Sequence, residues 1–178
     1  MRGWFAGIVA LLALAGCAGF PLESEPGPGP KLGPPLEQFA ADGRISLRQG
    51  ERSDHLRFDW RHAPDRDVVL FSTPLGQGLA ELGRDAGGAW LKLPGQTEQR
   101  APDLPALTRQ LLGVAVPLEV LAEWMGGSRA ERHGEVDGWT IAVSDSAPYR
   151  ERRLPRRIEV RRDDVELKIV ITGWGEND

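Results

Sequence analysis

Residues 56–61 read Leu-Arg-Phe-Asp-Trp-Arg, so every second side chain is large and apolar and the others are charged. Successive side chains of an extended strand point to opposite faces. The alternation therefore gives Leu56, Phe58 and Trp60 to a buried face and Arg57, Asp59 and Arg61 to a wet one. That is the pattern of an antiparallel sheet packed on one side. Upstream, Ile45 and Leu47 share a side within residues 44–48, and residues 67–72, 79–82 and 89–93 read as further strands. The links between them are turn-like: Thr73-Pro74-Leu75-Gly76-Gln77-Gly78, and then Gly87-Gly88.

Past residue 100 the period changes. Asp103 suits a helix N-cap, Pro105 sits in the first turn, and Leu104, Leu107, Leu111 and Leu112 form one stripe before Gly113. A second short helix follows Pro117, with Leu118, Leu121, Ala122 and Trp124 or Met125 on one face, and stops at Gly126-Gly127. Strands resume at 138–143, 154–161 and 165–174, with Asp163-Asp164 turning between the last two. Strands, a helical pair and strands again predict an α+β domain: an antiparallel sheet covered on one face by helices. The last strand is apolar on both sides (Val165, Leu167, Ile169 and Ile171, but also Val170), which suits a place deep in the sheet or against a cavity.

The N-terminus is of another kind. One cation, Arg2, precedes an apolar run from Phe5 to Ala15, about eleven residues against the ~20 a spanning helix needs. This is the form of a secretory signal. It closes on Leu14-Ala15-Gly16-Cys17, which matches the bacterial lipobox, and Cys17 is the only cysteine in the chain. In signals of this type the thiol receives a diacylglyceryl group, the peptide is cut before the cysteine, and the new amine is acylated. Residues 1–16 are thus expected to be a signal peptide. Residues 17–38, rich in proline and glycine, are an acylated, extended tether, and 39–178 form one domain. By resemblance to known sorting signals, Ala18 favours export to the outer membrane.

Little in the chain suggests catalysis. His55, His62 and His133 show no metal-ligand spacing and read as surface residues. No serine sits in G-x-S-x-G, Ser128 included, and Gly76-Gln77-Gly78 is too short to cradle phosphate. The expectation is a protein that is not an enzyme and holds no metal or cofactor beyond lipid on Cys17. With 22 basic and 26 acidic residues interspersed, nothing points to nucleic acid. A cluster at Arg150, Arg152, Arg153, Arg156, Arg157, Arg161 and Arg162 reads either as a solvated strand edge or as a contact for anionic headgroups or an acidic partner. Two features remain. Leu75 is offered at the tip of a tight connection, where an apolar side chain invites a partner or a membrane unless it folds back onto the core. The tryptophans Trp60, Trp90, Trp124, Trp139 and Trp174 are core material, with one or two available to a pocket.

Several segments together resemble the LolB family of outer-membrane lipoproteins. They are the lipobox, Gly43–Leu47, Phe58–Trp60, Thr73–Gln77, Leu111–Gly127, Gly138–Ile141, Leu154–Val160 and Leu167–Trp174, in the family's order. The chain departs from the family at Gly127-Ser128-Arg129 and at Val143, its one tyrosine being Tyr149. The resemblance implies a half-open antiparallel barrel of roughly eleven strands, with a lid of short helices over an apolar cavity. It also implies a monomer that takes lipoprotein cargo from the periplasmic carrier LolA and inserts it among outer-membrane phospholipids. The loop of Pro74, Leu75 and Gly76 would enter the membrane. Phe58, Trp60, Leu111, Leu112, Leu118, Leu121, Trp124, Trp139, Ile169 and Trp174 are the expected cavity and lid residues. The alternative is an assembly lipoprotein of an outer-membrane machine, working through protein contacts alone around a solid core.

Overall fold

A computed structural model describes residues 36–127 and 133–175. The signal segment, Cys17, most of the tether and Ser128 lie outside these described residues. The first six strands are β1 (Phe39–Gln49), β2 (Arg52–Ala63), β3 (Arg66–Ser72), β4 (Gly78–Asp85), β5 (Gly88–Lys92) and β6 (Gln99–Ala101). Two helices follow, α1 (Leu104–Leu112) and α2 (Leu118–Met125). The chain then returns as β7 (His133–Val136), β8 (Trp139–Tyr149), β9 (Arg152–Arg162) and β10 (Val165–Gly175).

The strands form one antiparallel sheet in the order β6-β5-β4-β3-β2-β1-β10-β9-β8-β7. Each neighbour follows in sequence except at the centre, where the two ends of the domain pair, Ala40 with Gly175 through to Gln49 with Val165. The strands at the two edges, β6 and β7, are joined by the segment that carries both helices. The helices therefore hang between opposite edges of the sheet: α1 lies against β4, β5 and β6, α2 against β9, and they touch each other.

The alternation at residues 56–61 is realised as expected. Phe58 and Trp60 are buried, while Arg57, Asp59 and Arg61 are exposed. They face a core that includes Phe39, Leu82, Leu107, Met125, Ile158 and Leu167. Gly43 sits under this layer because a Cβ there would lie 2.2 Å from the Val170 carbonyl oxygen. Asp103 caps α1, its carboxylate accepting from the Ala106 N–H at 2.8 Å, and Gly113 ends the helix in the left-handed region. Asp103→Ala should lower stability by about 1 kcal/mol, read from urea unfolding.

Four details differ from the sequence reading. The described residues hold ten strands, not eleven. The short edge strands β6 and β7 carry no alternating run, and β8 extends beyond residue 143 through bulges near Asp145. The arginine-rich β9 is not an edge: it pairs with β8 and β10. Finally, contact with the domain begins before Phe39, since the Leu36 N–H donates to the Gly126 carbonyl at 2.8 Å.

Candidate functional site: an apolar cavity and a protruding loop

Between the sheet and the helices lies a cavity of about 260 Å³. Seven of the residues expected there line it: Phe58 and Trp60 from β2, Ile169 from β10, Leu111 and Leu112 from α1, and Leu118 and Leu121 from α2. Further wall residues follow from strand parity alone. Ile45 and Leu47 lie on the inward side of β1, Val69 and Phe71 on that of β3, and Leu167 two places before Ile169. Thr108 is the one polar residue in the roof, and its hydroxyl is spent on the backbone, donating to the Pro105 carbonyl and accepting from the Val116 N–H at 2.8 Å. Charge appears only with Arg52 and Asp54, an ion pair at 2.7 Å.

Three of the tryptophans expected there do not line the cavity. Trp124 is buried on the side of α2 that faces β7, where a Cβ on Gly134 would approach its ring to 2.7 Å. Its indole N–H is buried with no acceptor among the described residues. Trp139 is buried near the start of β8, with the Arg162 guanidinium 5.8 Å from its ring. Trp174 lies at the far end of β10, edge-on to Phe39 at 5.5 Å. Trp124 turns away from the space under the roof, Trp139 stands on a strand that gives the cavity no wall residue, and Trp174 lies beyond the wall that Leu167 and Ile169 supply on β10.

The orientation of Trp60 is fixed from below by Asp67, which is fully buried. One carboxylate oxygen accepts from the Trp60 indole at 3.0 Å and lies 2.7 Å from His62 Nδ1. The other accepts from Arg84 Nε and Nη2 at 3.0 and 2.6 Å. His62 is thus a half-buried partner of Asp67, not a free surface residue. Burial alone would raise the Asp67 pKa; hydrogen bonds from His62, Trp60 and Arg84 more than offset it and hold the group below its ordinary value. The ionised carboxylate therefore stabilises the fold in full above the unfolded value of ~3.9 and loses that contribution as pH falls through the folded value. In acid unfolding, the advantage of the native chain over Asp67→Asn should persist at about pH 5 and shrink below about pH 4.

The loop between β3 and β4 is held at its base. The Thr73 N–H donates to the Gln77 carbonyl at 2.8 Å, and Gly76 N–H to the Thr73 carbonyl at 2.9 Å. Gly76 adopts φ +90°, a conformation that disfavours side chains. The turn projects Leu75 into solvent, 98% exposed. The loop did not fold back: Leu75 stands free at its tip, and Leu79, where the chain re-enters the sheet, is 37% exposed and lines the cavity. Among the described residues, no helix is long and apolar enough to cross a membrane.

An open antiparallel sheet with two short helices over an apolar cavity defines the LolA-like class of fold. A LolA superfamily protein from Nitrosomonas europaea superposes with a TM-score of 0.54 at 12% identity, covering 81% of this chain and 88% of that one. A DUF1329 family protein from Desulfovibrio piger gives 0.52 at 10% identity, covering 79% and 86%. Within that class the sequence is more specific. Residues 37–174 match the family described as "Outer membrane lipoprotein LolB". The outer-membrane lipoprotein LolB of Chromobacterium violaceum is 35% identical over 173 residues, 92% of this chain and 93% of the relative. That of Thiobacillus denitrificans is 33% identical over 177 residues, 91% of each. The chain belongs to the outer membrane lipoprotein LolB family.

Proposed function

We propose that this protein receives acylated lipoproteins from the periplasmic carrier LolA, holds their acyl chains in the cavity, and releases them into the outer membrane at the end that carries Leu75. The observation that carries the reading is an apolar cavity with Leu79 in its wall, next to a loop that offers Leu75 to the outside. An assembly partner acting through surface contacts alone would have no use for it.

The energetics require such a route. A cargo with three acyl chains exposes on the order of 45 methylenes, roughly 35 kcal/mol at ~0.8 kcal/mol each. It cannot pass through water unshielded. The chain has no nucleotide-binding motif, so transfer runs down an affinity gradient, with bilayer insertion as the sink. The cavity of about 260 Å³ is smaller than the ~300–1,000 Å³ of typical ligand pockets, so the helices must move to admit a full cargo. The eight-residue α2 has no side-chain cap at its N-terminus, which suits a roof that can shift. The protein acts as a monomer by binding and transfer, without a chemical step. Two or three acyl chains on Cys17 keep it at the membrane.

Filling the cavity tests the reading. Ala80 lines it, and Ala80→Trp should abolish uptake of an acylated lipoprotein from the carrier. Leu111→Trp, at a half-buried lining position, serves if the first variant does not fold. If a folded, cavity-filled variant accepts cargo as the native protein does, acyl chains are held elsewhere and the proposal fails.

A further inference from the structure

The outward face of the sheet carries two neighbouring sets of basic side chains that differ in one respect. In the first, Arg48 of β1, Arg161 of β9 and Lys168 of β10 gather around Glu166. Its carboxylate takes Arg48 and Arg161 at 2.9 Å and Lys168 at 3.4 Å. Hydrogen bonds from Arg161 and Arg48 lower the pKa of Glu166 to about 2. The second set is Arg44, Arg57 and Arg157. All three are exposed, and none has an acid or a hydrogen-bond partner among the described residues.

These three arginines form one row across the sheet. Arg57 stands opposite Arg44, Arg44 opposite Val170, and Val170 opposite Arg157. Like charges directly opposite on adjacent strands are destabilising, so folding does not account for Arg44 facing Arg57. The row lines a shallow depression with Lys168, the exposed His55 and, from the loop, Pro74. Its one carboxylate, Glu159, is already paired with Arg161 at 2.7 Å. The residue next to Pro74 is Leu75, and Arg57 pairs with Ser72 at the base of the same loop. The unpaired positive charge and the protruding apolar side chain therefore meet one surface together.

We propose that Arg44, Arg57 and Arg157 form a docking face for the phosphate groups of anionic phospholipids, which sets the tilt of the domain on the membrane when Leu75 enters it. Guanidinium groups suit phosphate oxygens in geometry as well as charge. Each basic residue near an anionic surface strengthens association by about fivefold, so three contribute on the order of a hundredfold. This face rests on the reading of Leu75 as membrane-directed but not on cargo transfer, and its test uses no cargo.

The full acylated chain carrying His55→Cys is placed in vesicles of phosphatidylethanolamine, with or without one quarter phosphatidylglycerol, and reacted with a membrane-impermeant maleimide. Labelling should slow several-fold on the anionic vesicles, and high salt should restore it. The triple variant Arg44→Gln, Arg57→Gln, Arg157→Gln should label equally on both, with a melting temperature no lower than the native chain's. The matching triple lysine variant should keep the slowing. Equal labelling of the native row on both vesicles overturns the proposal. So does slowing that appears only when an acidic soluble protein is added, which would assign the face to a protein contact.

Discussion

Replacing Leu75 by glutamate should leave the protein folded and able to take up cargo, and should stop delivery. The side chain is 98% exposed and lies at the tip of a turn whose hydrogen bonds are all backbone or Thr73. Its loss removes no packing, so stability should change by no more than ~0.5 kcal/mol. The membrane sees a larger change. A buried leucine is favourable there, whereas a carboxylate inside a bilayer costs at least ~2.5 kcal/mol. A difference of ~3 kcal/mol lowers the inserted population by on the order of a hundredfold. Transfer of a labelled lipoprotein from the loaded protein into liposomes reads this directly, with Leu75→Phe as the variant that should retain delivery. Native rates from Leu75→Glu would mean that the loop does not enter the membrane.

The second large effect lies beneath the cavity. Asp67→Ala leaves the Trp60 indole and the Arg84 guanidinium without their acceptor in one step. Removing one partner of a buried ion pair costs about 3–5 kcal/mol. Arg84 is 26% exposed and can recover some hydration, which places the expected loss near the lower figure. Set against a total of about 5–15 kcal/mol for a typical domain, this is severe. Urea unfolding measures it. Because Trp60 forms part of the cavity wall, its fluorescence should shift as well. A loss under ~1 kcal/mol would show that these groups find water instead.

Strand parity made much of this legible in the sequence. The alternation at Leu56, Phe58 and Trp60 and the stripe at Leu104, Leu107 and Leu111 place the sheet and the roof, because burying one face dictates the period of each. Capping at Asp103 and the turn at Asp163-Asp164 were readable for the same local reason. Position along an element was not. Trp124, Trp139 and Trp174 share composition with true wall residues, and only the three-dimensional packing removes them. His62 and Arg84 both stand directly opposite Asp67, on β2 and β4. No linear pattern shows this until the strands are paired. Asp137-Gly138, a strong hairpin signal, does mark the start of β8, but β7 before it is four residues of mixed polarity. The row of Arg44, Arg57 and Arg157 draws on three strands and is invisible as a run.

The central pairing of β1 with β10 has a consequence for biogenesis. The chain emerges N-terminus first, and β1 to β6 can zip as successive hairpins soon after they appear. The other side of β1 has no partner until the last strand arrives, more than a hundred residues later. Through that interval an open strand edge is exposed beside Ile45 and Leu47, a condition that invites aggregation. Contacts so distant in sequence also slow folding. A chain cut short before Val165 would keep nine strands in sequence yet lack the seam between them, and with it the wall that Leu167 and Ile169 supply.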